Sequence, residues 1–147
     1  MLSFSSCVNS NKEMAFNQTR LQILDTLNQV LNKQAKKTTT FENGIRLSNV
    51  EINKDSFWLI YNYVVTDDTS LDYKDCLKQN LIKGLVQQAS PSQTMYYNYQ
   101  ISPIFNYQDL RGKTLLTINI NYSELNYILP DFNIGCEMYK EAINRFR

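Results

Sequence analysis

The hydrophobic period of the chain changes several times, and each change marks an element. From about Met14 to Lys36, Leu21, Leu24, Leu27 and Leu31 recur at three- and four-residue spacing. Ile23 and Val30 widen that stripe and Phe16 opens it, which predicts an amphipathic helix. Lys36 and Lys37 suit its C-terminus, and the threonine run that follows disfavours continuation. After Asn43-Gly44 the period drops to two. Ile45, Leu47, Val50 and Ile52 alternate with one slip near Ser48-Asn49, the mark of a bulged strand. Beyond the turn at Asn53 to Ser56, Phe57, Leu59, Tyr61, Tyr63 and Val65 face one way and Trp58, Ile60 and Val64 the other. A strand apolar on both sides belongs in the middle of a sheet.

The second half repeats the scheme. Thr69 and Asp72 have capping-box spacing, and Leu77, Leu81, Ile82, Leu85 and Val86 form the buried stripe of a second helix. Pro91 follows it, and the segment from Ser92 to Gln100 reads as a short helix or a loop. A second hairpin turns between Asp109 and Gly112, its second strand carrying Leu116, Ile118, Ile120 and Tyr122 on one face. After Pro130, Ile134, Met138, Ala142 and Phe146 predict a closing helix. The order is α-β-β-α-β-β-α, an α+β fold in which helices pack on an antiparallel sheet of about four strands built from two hairpins. Residues 1–13, small and polar, read as a flexible tail or tether, leaving 14–147 as a single domain.

Composition narrows the chemistry. The 147 residues are 43% hydrophobic and 12% aromatic, enough for a core. A net charge of +1 gives no basic excess for a nucleic acid. Histidine is absent, which excludes Ser-His-Asp and Cys-His catalysis and the usual histidine-based zinc sites. The acidic stretch around Asp67, Asp68 and Asp72 lacks the spacing and glycine of a calcium loop, and helix capping accounts for its carboxylates. No metal, cofactor or catalytic residue is expected.

Four pieces within about residues 44–121 carry a resemblance. They are Tyr61-Asn62-Tyr63 at the end of the aromatic strand, the turn through Asp67 and Asp68, the helix with Leu77 and Leu81, and the turn YQDLRGK from Tyr107 to Lys113. In these the chain resembles a family of small bacterial exported and lipoprotein α+β domains of uncharacterised function. The resemblance implies a location in the cell envelope and carries over no catalytic residue. Cys76 lies inside the helix, where the family has a cysteine after it.

Three cysteines and three tyrosines are the candidate functional residues. Ser5-Ser6-Cys7 matches the end of a lipoprotein sorting signal, with Leu2 and Phe4 as the tail of an apolar run. Cys7 is then the lipid attachment site and the membrane anchor, provided that a basic and apolar segment precedes Met1. The other reading is an incidental thiol and a cytoplasmic protein. Cys76 and Cys136 are either a disulfide pair or two separate buried thiols. Tyr96, Tyr97 and Tyr99 are the candidate contacts for a protein partner, since an exposed tyrosine offers both a ring and a hydroxyl. The expected function is that of a non-enzymatic, membrane-tethered envelope lipoprotein that binds another protein, facing the periplasm or the outside. A soluble immunity or inhibitor protein acting on a toxin or host defence factor is the alternative.

Overall fold

Leu24, Leu27, Leu31 and Ala35 lie on one side of a helix because three- and four-residue steps return to the same face. In a computed structural model, which describes residues 2–42, 44–66, 74–87 and 91–125, that helix is α1 (Leu2–Lys37). It begins at Leu2 rather than near Met14, so the segment read as a tail is helical from its second residue. No proline or glycine interrupts Leu2 to Lys37, and extending an existing helix adds one hydrogen bond for each residue fixed. From Ser10 to Ala15 the side chains are exposed, so this part of the helix projects into solvent.

Four strands follow in pairs: β1 (Ile45–Asn53) with β2 (Trp58–Val65), and β3 (Ser102–Gln108) with β4 (Thr114–Asn119). The expected bulge falls between Leu47 and Asn49. Each hairpin turn is organised by its first residue. Asn53 Oδ1 accepts from the amides of Asp55 and Ser56 at 3.1 Å each. Asp109 Oδ1 accepts from Arg111 and Lys113 at 2.9 Å each, and Gly112 supplies a φ of 85°. The Asp and Gly of YQDLRGK are thus turn chemistry.

One expectation needs correction. The sheet order is β1-β2-β3-β4, but β2 and β3 run parallel, so the sheet is mixed rather than antiparallel. The reason is the connection. Between the hairpins the chain passes through α2 (Lys74–Gln87) and α3 (Pro91–Asn98), long enough to return it to its starting end. The segment after Pro91 is thereby a helix, and a 3-10 turn (Tyr122–Leu125) ends the described chain. The capping box at Thr69 and Asp72 and the closing helix after Pro130 lie outside the described residues.

Parallel register puts like residues opposite each other: Leu59 with Pro103, Tyr61 with Phe105, Tyr63 with Tyr107. On this face the core gathers. Leu24 of α1, Ile82 of α2 and Tyr96 of α3 join Val50, Leu59, Val65, Phe105, Tyr107, Ile118 and Ile120 in one buried cluster. Asn32 ties α1 to the edge strand: its amide donates to Val50 O at 2.9 Å and its Oδ1 accepts from Val50 N at 2.7 Å. The opposite face carries a polar ladder. Asn106 donates to Asn62 Oδ1 at 3.1 Å and accepts from Thr117 Oγ1 at 2.8 Å.

Candidate functional site

Each residue of an α-helix is rotated about 100° from the one before it, and α3 shows the consequence. Tyr96 points to the sheet, 5% exposed, and its hydroxyl is hydrogen-bonded to that of Tyr61. Tyr97 points to solvent and is 37% exposed. Tyr99, half-buried, stacks on Phe16 of α1 with ring centroids 6.2 Å apart. The three tyrosines of the sequence reading are therefore not brought together on one surface, and Tyr97 is the exposed member.

Behind Tyr96 lies a closed aromatic seam. Tyr61 stacks on Phe105 at 4.9 Å and 8°, and Tyr63 on Tyr107 at 5.4 Å and 15°. Burial raises the pKa of Tyr61, with the neighbouring Tyr96 adding to the effect. Burial likewise raises Tyr63, Tyr96 and Tyr107 above the ordinary phenol value. A buried phenol with a raised pKa holds its proton, so this cluster packs and does not act as a base.

On its other flank α3 leaves a gap. Thr19, Gln22, Ile23, Thr26 and Leu27 of α1 and Met95 of α3 line an open groove of about 380 Å³. Ile23, Leu27 and Met95 give it apolar walls, half-buried, while Thr19, Gln22 and Thr26 provide uncharged polar lips. Such a surface accepts apolar side chains and offers hydroxyl and amide groups to whatever backbone carries them.

Beside the groove sits Arg20. Its Nε donates to Tyr99 O at 2.7 Å, one terminal nitrogen to Gln100 O at 2.7 Å and the other to Asn17 Oδ1 at 3.0 Å. The guanidinium lies 3.3 Å above the centre of the Phe57 ring. Partial burial lowers its pKa from the usual arginine value, Tyr122 opposing the shift, and the group stays charged.

The remaining candidates divide by position. Cys76 is 6% exposed and disulfide-bonded. Its partner, Cys136 and the side chain of Cys7 lie outside the described residues, although the backbone of Cys7 belongs to α1. Among the described residues no group of three or more His, Cys, Asp or Glu side chains gathers, and no helix is long and apolar enough to cross a membrane. The sequence reading missed Arg20 and Met95. The groove had one signal in the sequence, the breadth of the α1 stripe, which Ile23 and Val30 widen: Ile23 lines the groove and Val30 is 47% exposed.

Comparison with known structures gives the same architecture. The EpsS pilotin of the Vibrio vulnificus type 2 secretion system superposes with a TM-score of 0.55 at 9% identity, over 81% of this chain and 99% of the pilotin. A Pseudomonas aeruginosa protein described as secreted superposes with a TM-score of 0.51 at 11% identity, over 69% of this chain and 94% of that one. At these identities the likeness is one of fold. No family model and no curated protein matches the sequence. What the comparison shares with the sequence reading is the α+β architecture.

Proposed function

We propose that the chain is a pilotin-like envelope domain, tethered by lipid at Cys7, that binds another protein in the groove between α1 and α3. Its chemistry is recognition rather than catalysis. The groove carries this reading: apolar walls of Ile23, Leu27 and Met95 with neutral lips, on a fold shared with a pilotin. Its occupant is an apolar-faced segment of the partner, uncharged where it enters, because no charged side chain lines the groove among the described residues. At about 380 Å³ the groove holds two or three aliphatic side chains, the size of a small anchor cluster. The projecting start of α1, exposed from Ser10 to Ala15, suits a spacer between a lipid at Cys7 and the domain. Tyr97, the exposed tyrosine of α3, is a further candidate contact, and a Cys76–Cys136 bridge fits the oxidising side of a membrane.

The test uses the gene with its natural upstream sequence. Photocross-linking from p-benzoylphenylalanine at Gln22 is expected to give one discrete adduct, and at exposed Glu51 none. Leu27→Asp should abolish the adduct, because it buries a carboxylate in an apolar wall. An adduct that survives Leu27→Asp, or is equally strong from Glu51, sinks the groove as the docking site. Cys7→Ser should move the protein from the membrane fraction to the soluble one. A soluble inhibitor would keep its adduct and show no change on fractionation, which separates the two readings.

A further inference from the structure

Two non-glycine residues among those described have φ in the left-handed region, Phe57 at 56° and Gln100 at 53°. That conformation is unfavourable for residues with a Cβ and persists where packing holds it. Phe57 ends the β1–β2 turn and Gln100 follows α3, far apart in sequence. Arg20 touches both: its guanidinium covers the Phe57 ring, and a terminal nitrogen donates to Gln100 O. The two turns also join directly, through Ser102 N donating to Phe57 O at 3.0 Å.

The connection to the groove runs through Tyr99. Arg20 holds Tyr99 O, and Tyr99 N donates to Met95 O at 2.9 Å, so one hydrogen bond separates the latched residue from the α3 wall of the groove. On α1, Thr19 adjoins Arg20 and Ile23 lies one turn further on, so the opposite wall is fixed to the same side chain. A planar guanidinium places two donors on two adjacent carbonyls at once, which an ammonium cannot do in fixed geometry.

We infer that Arg20 is the positioning residue of the groove: its fork latches the end of α3 to α1 and sets the gap that the partner's apolar side chains enter. The consequence for binding rests on the groove being the docking site; the latch itself does not. Hydrogen exchange on the full chain tests the latch without any partner. Arg20→Met is expected to raise exchange at the Tyr99 and Ile101 amides by about tenfold while leaving the β1–β2 amides unchanged. Arg20→Lys, which keeps the charge, should behave like Arg20→Met. Rescue by lysine, or a uniform rise across the sheet, overturns the latch.

Adduct yield from Gln22 then reads its effect on the groove. Both Arg20 variants should lose at least fivefold. Asn32→Ala, which loosens α1 at its attachment to β1, serves as a control compared at equal folded fraction and should keep the yield. Equal losses in Arg20→Met and Asn32→Ala overturn the positioning role and leave Arg20 a general support. If the unaltered protein gives no adduct, the docking site fails while the exchange result still decides the latch.

Discussion

Helix α3 has two flanks that differ in one respect. Toward the sheet, Tyr96 closes on Tyr61, and the rings of Tyr61, Tyr63, Phe105 and Tyr107 stack with interplanar angles of 8° to 20°. Toward α1, Met95 faces Ile23 and Leu27 across an open groove. Both flanks are made of large apolar side chains, so hydrophobicity does not distinguish them. Geometry does. Parallel register places ring opposite ring along β2 and β3, whereas α1 is pinned at Asn32 to the edge strand and at Arg20 to the end of α3. Only the Arg20 pin joins the two helices, and beyond it they stand apart. The closed flank supplies stability and the open one supplies surface.

The steepest way to break this comparison is alkaline pH, which should attack the closed flank first. Unfolded tyrosine loses its proton near pH 10, and Tyr61, Tyr63, Tyr96 and Tyr107 hold theirs to higher pH when folded. Their contribution is intact below about pH 10 and is lost as pH rises above it, because only the unfolded chain releases these protons there. The slope is up to about 1.4 kcal/mol per pH unit for each such tyrosine. The tyrosinate absorbance of these four should therefore appear together with the loss of far-ultraviolet circular dichroism in one late, cooperative step. Full ionisation near pH 10 with the secondary structure intact would show that the seam is open to water.

Phe105→Ala comes next. The ring is 3% exposed and stacked on Tyr61, so its removal leaves a cavity costing about 3–5 kcal/mol. For a domain of this size the midpoint should fall by on the order of 10 °C in a thermal melt. If the two flanks are independent, the Gln22 adduct persists at temperatures where the variant remains folded. Its loss from folded protein would mean that the seam sets the groove as well.

How much of this was legible in the sequence depends on the range of the interaction. Period-two alternation in Phe57 to Val65 fixes which side chains share a face, and Asn53, Asp109 and Gly112 act within their own turns. Those features are local, and the two hairpins, the bulge and the central strand follow from them. How two hairpins abut is not local. A parallel or an antiparallel β2–β3 pair satisfies the same alternation, so the mixed sheet could be read only from the path of the chain. The candidate site lay further out of reach. Tyr96, Tyr97 and Tyr99 look like a patch as a string, but the first two part on the faces of α3 and Tyr99 lies just beyond its end. Arg20 finds its acceptors about eighty residues away on backbone carbonyls, which leave no trace in side-chain pattern.

A smaller effect is expected at the other pin. Asn32→Ala removes both hydrogen bonds to Val50, at an edge that water can partly resolvate, so the cost should be about 1–2 kcal/mol. Thermal melts should show a loss of several degrees. Asn32→Asp tests the pattern: it still accepts from Val50 N but cannot donate to Val50 O, so it should fall between the two. An aspartate as stable as the parent would remove the donated bond from the account.

The smallest predicted effect tests whether any cation between α1 and the β1–β2 turn would do. Lys54 in that turn pairs with Asp25 of α1 at 3.4 Å, and their side chains are 57% and 52% exposed. Arg20 joins the same helix to the same turn through Phe57. The two ties look alike on a list of contacts, yet they differ physically. An exposed ion pair orders two long side chains for a Coulomb attraction that water and salt screen, and such pairs contribute about 0–1 kcal/mol. Arg20 spends its charge on three directed hydrogen bonds and a ring face, none of which depends on a counter-ion. Lys54→Ala should thus shift the midpoint by no more than a degree or two and leave the Tyr99 and Ile101 amides protected. Any shift it does cause should vanish in high salt, where Arg20→Met keeps its full effect. If Lys54→Ala also exposed those amides, the groove would be set by charge between α1 and the turn rather than by the geometry of one guanidinium.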